Sequence, residues 1–295
     1  VVPGRFDPRF RRVFAWYGRR LFSKRFYAVR LAHGGSRLLA ECRETPGLVV
    51  LAINHSSWWD PMVGFFLHDR FMASRTPCSP IDAAQLANFA FFRRLGMFGV
   101  APDDPGSLRA MAHYVAERRA RDPQPLLMIT PQGRFVDPRR PIEVRPGIGL
   151  VCSQSPGVRV ICGAVEYAFW TEQRPEVFLR AVEAPAPADL GSARAWTDAI
   201  EVAMNENARA LADLVQARDG AAFETLSGGG RAAIHPMYDA FLRLTGRRTN
   251  VDTEHRRAPA TVPATSGTPA PDSRAAARGV PASAASPGAS NGARP

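Results

Sequence analysis

The run Leu48-Val49-Val50-Leu51-Ala52-Ile53 contains no polar residue, follows the turn formers Pro46-Gly47, and passes directly into Asn54-His55. It is too short to span a bilayer and suits a strand buried on both faces. A strand is covered on both faces only when its sheet carries helices on each side, so this segment argues for an α/β domain. Residues 126–130 and 158–165 repeat the pattern, each followed by polar or Gly/Pro punctuation. Between and after them lie helical patterns, over 108–120 with Leu108, Met111, Ala112 and Val115 on one face, and over 196–217. Residues 36–41 read as a further short strand. The expected fold is a mixed, largely parallel central sheet covered by helices.

Length permits one such domain plus extensions. The sequence divides into a basic aromatic N-terminal helical segment (1–37), a main domain (38–246) and a tail (247–295) rich in Ala, Pro, Ser and Gly, with the composition expected of disorder. The four cysteines, Cys42, Cys78, Cys152 and Cys162, form no CxxC pair and match no histidine spacing. They read as reduced thiols in a cytoplasmic protein, without a zinc site or a disulfide framework. No apolar stretch reaches the length of a spanning helix.

Thirty-eight Lys and Arg against 27 Asp and Glu give a formal charge of +11. Such an excess favours a polyanion, either an anionic membrane surface or nucleic acid. Its distribution points to the membrane. In the N-terminal segment Phe10, Phe14, Tyr17 and Leu21 recur at helical spacing with arginines between them, a pattern that suits a helix lying in a headgroup layer. The same stripe also suits a helix packed on the domain through its aromatics. No nucleic-acid module follows, so no nucleic-acid partner is expected.

His55 and Asp60 stand five residues apart, which on a regular helix turns them about 140° away from each other. They meet only if His55 precedes the first turn and Asp60 lies within it. A strand ending at Ile53, with Ser56 and Ser57 as helix N-cap candidates, provides that junction. Asp60 then fixes the imidazole tautomer, and His55 takes a proton from an attacking hydroxyl. Asn54, Ser57, Trp58 and Trp59 crowd the pair. A second polar cluster, Pro131-Gln132-Gly133-Arg134, follows the 126–130 strand, and Arg139, Arg140 and Arg145 lie just beyond it. Gly133 allows close backbone approach to a ligand, and Arg134 offers a bidentate fork to phosphate. Both clusters sit beyond the carboxyl ends of strands, where open α/β sheets bind ligands.

The segment Asn54 to Asp60 resembles the His-x4-Asp box of the glycerolipid acyltransferases, the lysophosphatidic acid acyltransferase family. Pro131-Gln132-Gly133-Arg134 resembles that family's Pro-Glu-Gly-Thr-Arg block, and residues 91–100 resemble the block between the two. Arg145-Pro146-Gly147 and residues 160–175, with Tyr167 and Trp170, continue the likeness, which covers about 38–220. The resemblance implies metal-free, cofactor-free acyl transfer from acyl-CoA or acyl-carrier protein to a lysophospholipid. The enzyme would act peripherally at the cytoplasmic face of the membrane, with no acyl-enzyme required. It casts His55 as general base and Asp60 as its partner. Gln132, Gly133, Arg134 and Arg145 fall to the acceptor's phosphate, and Asn54, Ser57, Trp58, Trp59 and Phe66 to positioning and the acyl chain.

The chain departs from the pattern in three places. Gln132 replaces a Glu, Arg134 comes one position early, and Ala101-Pro102-Asp103-Asp104 stands where relatives carry a phosphate-binding Arg. A glycolipid or other hydroxylated acceptor is therefore an alternative, as is a nonenzymatic basic protein that binds membrane or nucleic acid. A serine hydrolase is not expected, because no G-x-S-x-G elbow lies within the main domain.

Overall fold

The computed structural model describes residues 1–101, 103–229 and 244–245; the tail expected over 247–295 lies outside them. The chain runs α1 (Pro8–Arg25), β1 (Ala28–Ala32), α2 (Gly35–Glu44), β2 (Val49–Ile53), α3 (Asp60–Phe71), β3 (Thr76–Asp82), α4 (Ala83–Asn88) and β4 (Met97–Val100). It continues through α5 (Pro105–Arg121), β5 (Pro125–Ile129), α6 (Gly147–Ser153), β6 (Arg159–Ala168), β7 (Glu176–Glu183), α7 (Ala193–Ala217) and β8 (Phe223–Gly228).

Among the described residues the eight strands form one sheet in the order β4-β3-β5-β2-β6-β7-β1-β8. β4, β3, β5, β2 and β6 are mutually parallel. β7 runs antiparallel to β6, β1 parallel to β7, and β8 antiparallel to β1. The α/β class, with a mixed and mostly parallel sheet flanked by helices, is as the apolar runs require.

Strand β2 sits inside the parallel run, paired with β5 on one side and β6 on the other. Its Val49, Leu51 and Ile53 share a core with α1, α2 and α3 residues such as Phe22, Leu39 and Val63. Val50 and Ala52 share another with α5, α6 and α7 residues such as Met111, Ile148 and Trp196. Each fully buried aliphatic side chain of this kind contributes about 1.5–3 kcal/mol, which is why an unbroken apolar run is stable only at the centre of a covered sheet.

Two local readings are corrected. Residues 36–41 belong to helix α2, not to a strand. Leu39 and Cys42, three apart, are buried on one helical face, and Arg37 pairs with Glu41 one turn on, so the helix period governs. The N-terminal segment is not solely helical, because β1 enters the sheet between β7 and β8. Arg30 in its middle is tolerated because its Nε donates to the buried Glu176 at 2.5 Å.

The aromatic stripe of α1 is largely a packing face. Phe10 and Phe14 pack on the core, Phe14 meets Phe65 edge-on at 5.7 Å, and Phe22 is buried. Outward from the domain point Val13, Trp16 and Tyr17 among Arg9, Arg12, Arg20 and Lys24, on a helix without a single acidic residue.

Candidate active site

β2 and β5 are hydrogen-bonded neighbours, so the loops leaving their carboxyl ends emerge side by side. The chain after β2 makes a short turn at 54–59 before α3 begins at Asp60. Ser56 and Ser57 do not cap the helix with their side chains, as their residue type suggests. The direction is reversed: their backbone N–H groups donate to Asp60 Oδ2 at 2.6 and 2.7 Å. The Ser57 hydroxyl accepts from Trp59 N at 3.2 Å. The first carboxylate of the helix thereby folds the turn back on itself and draws His55 into reach.

His55 Nδ1 donates to Asp60 Oδ2 at 3.0 Å, and Tyr167 donates its hydroxyl to Asp60 Oδ1 at 2.7 Å. Asp60 is fully buried and receives four donors, so its position is set by β6 as well as by its own turn. Burial, and then the facing Asp60 carboxylate, hold the Tyr167 hydroxyl far above the ordinary tyrosine range, which keeps it a donor. With Nδ1 committed as a donor, the neutral ring presents a lone pair at Nε2, the arrangement a general base requires.

Asn54 extends the pairing of β2 past its last residue. Its amide donates to Val165 O at 3.0 Å and accepts from Val165 N at 2.7 Å. Gln132 is buried and accepts the His55 backbone N–H through Oε1 at 2.7 Å, so it ties the β5 loop to the histidine. Val136 N donates to His55 O at 2.8 Å, and the Phe135 ring lies 4.3 Å from the imidazole. Phe135, unremarked in the sequence, is thus the closest aromatic wall to His55. Trp58 lies tilted against the Phe135 ring, 5.2 Å between centroids, and is itself exposed.

Gly133 adopts φ 63°, in the left-handed region, and a Cβ there would approach Arg145 Nε to 3.0 Å. Glycine lets the turn close against that arginine. Arg134 and Arg145 stand at the rim, where each carries an acidic partner: Arg134 with Glu143 at 2.6 Å, and Arg145 with Asp103 at 3.0 Å. Of the two aspartates in the middle block, Asp103 therefore faces the rim arginine. Asp104 instead caps α5, accepting from Gly106 N and Ser107 N.

Beneath His55 opens a cavity of about 380 Å³. Its walls are mainly apolar, with Phe65, Met97, Val100, Met111, Met128 and Ile148 in the interior and His55, Trp58 and Arg134 at the polar end. Trp59 and Phe66 lie elsewhere. Trp59 packs on Phe22 and Phe26, and Phe66 on Phe22 beneath α1. On α3, Asp60, Pro61, Gly64 and Phe65 line the cavity, and the sequence distinguishes Phe65 from Phe66 only through the rotation of the helix.

A covalent nucleophile is not provided by any cysteine. All four are buried, none lines the cavity, and burial pushes the thiols of Cys78, Cys152 and Cys162 up to about 12. Among the described residues no cluster of His, Cys, Asp and Glu is arranged to hold a metal ion. What the site can do is accept a proton at Nε2 beside an apolar cavity whose mouth carries two arginines. In comparisons with known proteins, no family model matches the chain and no curated protein matches it.

Proposed function

We propose that the protein is an O-acyltransferase that moves a fatty acyl group from acyl-CoA or acyl-carrier protein to the hydroxyl of a lysophospholipid such as a 1-acylglycerol-3-phosphate. The observation that carries this reading is the buried, four-donor Asp60 holding His55 at 3.0 Å over an apolar cavity. The resemblance of residues 54–60 and 131–134 to the glycerolipid acyltransferase boxes supports it.

In the proposed reaction the acyl chain occupies the cavity, and its thioester carbonyl lies at the mouth beside His55. The acceptor hydroxyl attacks the carbonyl carbon while His55 Nε2 takes its proton, and Asp60 stabilises the imidazolium through Nδ1. The tetrahedral intermediate collapses with cleavage of the C–S bond. The departing sulfur receives the proton from His55, which leaves an ester, a thiol and a neutral histidine.

Arg134 and Arg145 meet the acceptor's phosphate by exchanging their acidic partners for it. Because both are already paired, an uncharged glycolipid acceptor is the second reading, and it leaves the two ion pairs intact. Among the described residues no helix is long and apolar enough to cross a membrane. The outward face of α1, with Trp16 and Tyr17 between arginines, supports peripheral attachment to an anionic membrane, placed by this reading on the cytoplasmic side.

The test is free-thiol release from long-chain acyl-CoA, with and without lysophosphatidic acid, by wild type and His55→Ala. Acceptor-dependent release abolished in a folded variant supports the reading. A folded wild type that shows none with lysophosphatidic acid or a panel of glycolipids, from either donor, refutes it.

A further inference from the structure

The loop from residue 130 to residue 146 has two sides. Pro131, Gly133, Arg134 and Arg145 wall the cavity beside His55. Its other flank, Pro138 to Pro141, faces α7 across a separate cleft of about 210 Å³. The charged side chains in its lining are mostly basic: Arg139, Arg140 and Arg209, against the carboxylate of Asp213, with prolines and alanines between them.

Arg139 is already committed, with Nε and Nη2 both donating to the buried Glu166. Asn205 is committed too, since its amide bonds both the N–H and the carbonyl of Ile142 at 2.9 Å and so fixes the loop to α7. Arg140 and Arg209 are exposed and make no ion pair among the described residues. Like charges on facing walls of a recess disfavour the empty cleft and favour one that holds an anion. Guanidinium forks match phosphate oxygens in particular.

The position relates the cleft to the dyad. Val136, in the same loop, donates to His55 O, and Glu166, which holds Arg139, neighbours Tyr167 on β6 with its side chain on the opposite face of the sheet, toward α7, so the cleft lies across the loop from the dyad. We infer that this cleft binds the phosphate at the far end of the pantetheine arm that carries the acyl group. The inference rests on the acyl-transfer reading. It places the acyl chain in the apolar cavity, the thioester at His55 and the phosphate ester across the loop. CoA and a carrier protein both bear that phosphate, so the cleft suits either donor.

Calorimetric titration of the full chain tests it, with CoA, phosphopantetheinylated carrier protein and phosphate-free pantetheine as probes, on wild type, Arg140→Gln/Arg209→Gln and Asp213→Asn. Both arginines are exposed and without an acidic partner among the described residues, and the melting temperature of each variant checks the fold. The expected result is CoA binding about tenfold weaker in the double variant and several-fold tighter in Asp213→Asn, with pantetheine binding poorly to the wild type. Binding of the carrier protein alone, weakened in the double variant, supports the same cleft with the carrier as its source.

An unchanged dissociation constant in the double variant, for whichever donor binds, overturns the inference, as does the failure of both donors to bind. Wild-type thiol release from a phosphate-free acyl-N-acetylcysteamine thioester separates the two failures. Acceptor-dependent release keeps the acyl-transfer reading while the cleft assignment falls, and its absence together with no donor binding removes both.

Discussion

Tyr167 donates its hydroxyl to Asp60 Oδ1 at 2.7 Å, joining two residues 107 positions apart in the chain. Oδ2 of the same carboxylate receives His55 Nδ1 and two backbone amides, so neither oxygen is free to rotate away from the imidazole. Tyr167→Phe leaves the ring packed against Phe26 and removes only the donor. Turnover is expected to fall about tenfold with little change in substrate KM, and thiol-release kinetics at saturating donor measure it.

Asp60→Asn keeps the shape of the turn but offers the histidine a different partner. The amide cannot accept at both ends, so the Nδ1–H tautomer loses its support. Turnover is expected to drop by about 10²–10⁴. A variant that retains wild-type kcat would refute the base assignment for His55.

Two substitutions on one helix separate the cavity from the core. A Cβ at Gly64 meets Ile53 Cδ1 at 3.5 Å and Met128 Sδ at 3.7 Å, both ordinary contacts, so Gly64→Leu projects into the cavity and shortens it. The preferred acyl donor should shift from long to medium chains. Phe66→Trp changes packing beneath α1 and should leave that preference alone. Turnover of a donor series by both variants tests this, and the reverse pattern would discard the cavity as the acyl site.

His68 is buried on α3 and donates Nε2–H to Arg75 O at 2.9 Å. Burial, with Arg11 adding, pushes its pKa down from 6.5 to about 4, while the carbonyl and Asp69 oppose the shift. Between these values the unfolded chain binds a proton that the folded chain refuses. Stability is therefore complete above pH 6.5 and falls as pH drops toward 4, by about 3 kcal/mol from this group. His68→Gln has no such proton to refuse, so its urea-derived stability should decline correspondingly less over that window.

Arg75 lies at the opposite end of the sheet from the site and is almost wholly buried. Its guanidinium donates to the carbonyls of Cys42, Thr45, Gly47 and Pro125, which gathers the end of α2, the lead into β2 and the start of β5. Arg75→Met leaves those acceptors unpaired and should cost about 3–5 kcal/mol by denaturant unfolding. A loss below about 1 kcal/mol would mean that water replaces the clamp.

Much of the architecture was legible in local pattern. Predominantly apolar runs marked β2, β5 and β6, and helical spacing marked α5 and α7, because burial on one or two faces leaves a trace in a single segment. The meeting of His55 and Asp60 was legible too, since it depends on one strand-to-helix turn. The role of Ser56 and Ser57 was not, because backbone N–H groups carry no side-chain signature.

What only the tertiary structure decided lies between elements. Strand order puts β6 next to β2, and so Tyr167 beside Asp60 and Asn54 beside Val165. The packing of α1 turns Phe14 and Phe22 inward and leaves Trp16 outside; the rotation of α3 gives Phe65 to the cavity and Phe66 to the core. The residue sequence determines which faces of each segment avoid water. Which neighbour covers each face depends on contacts between residues far apart in the chain, and no local periodicity records them.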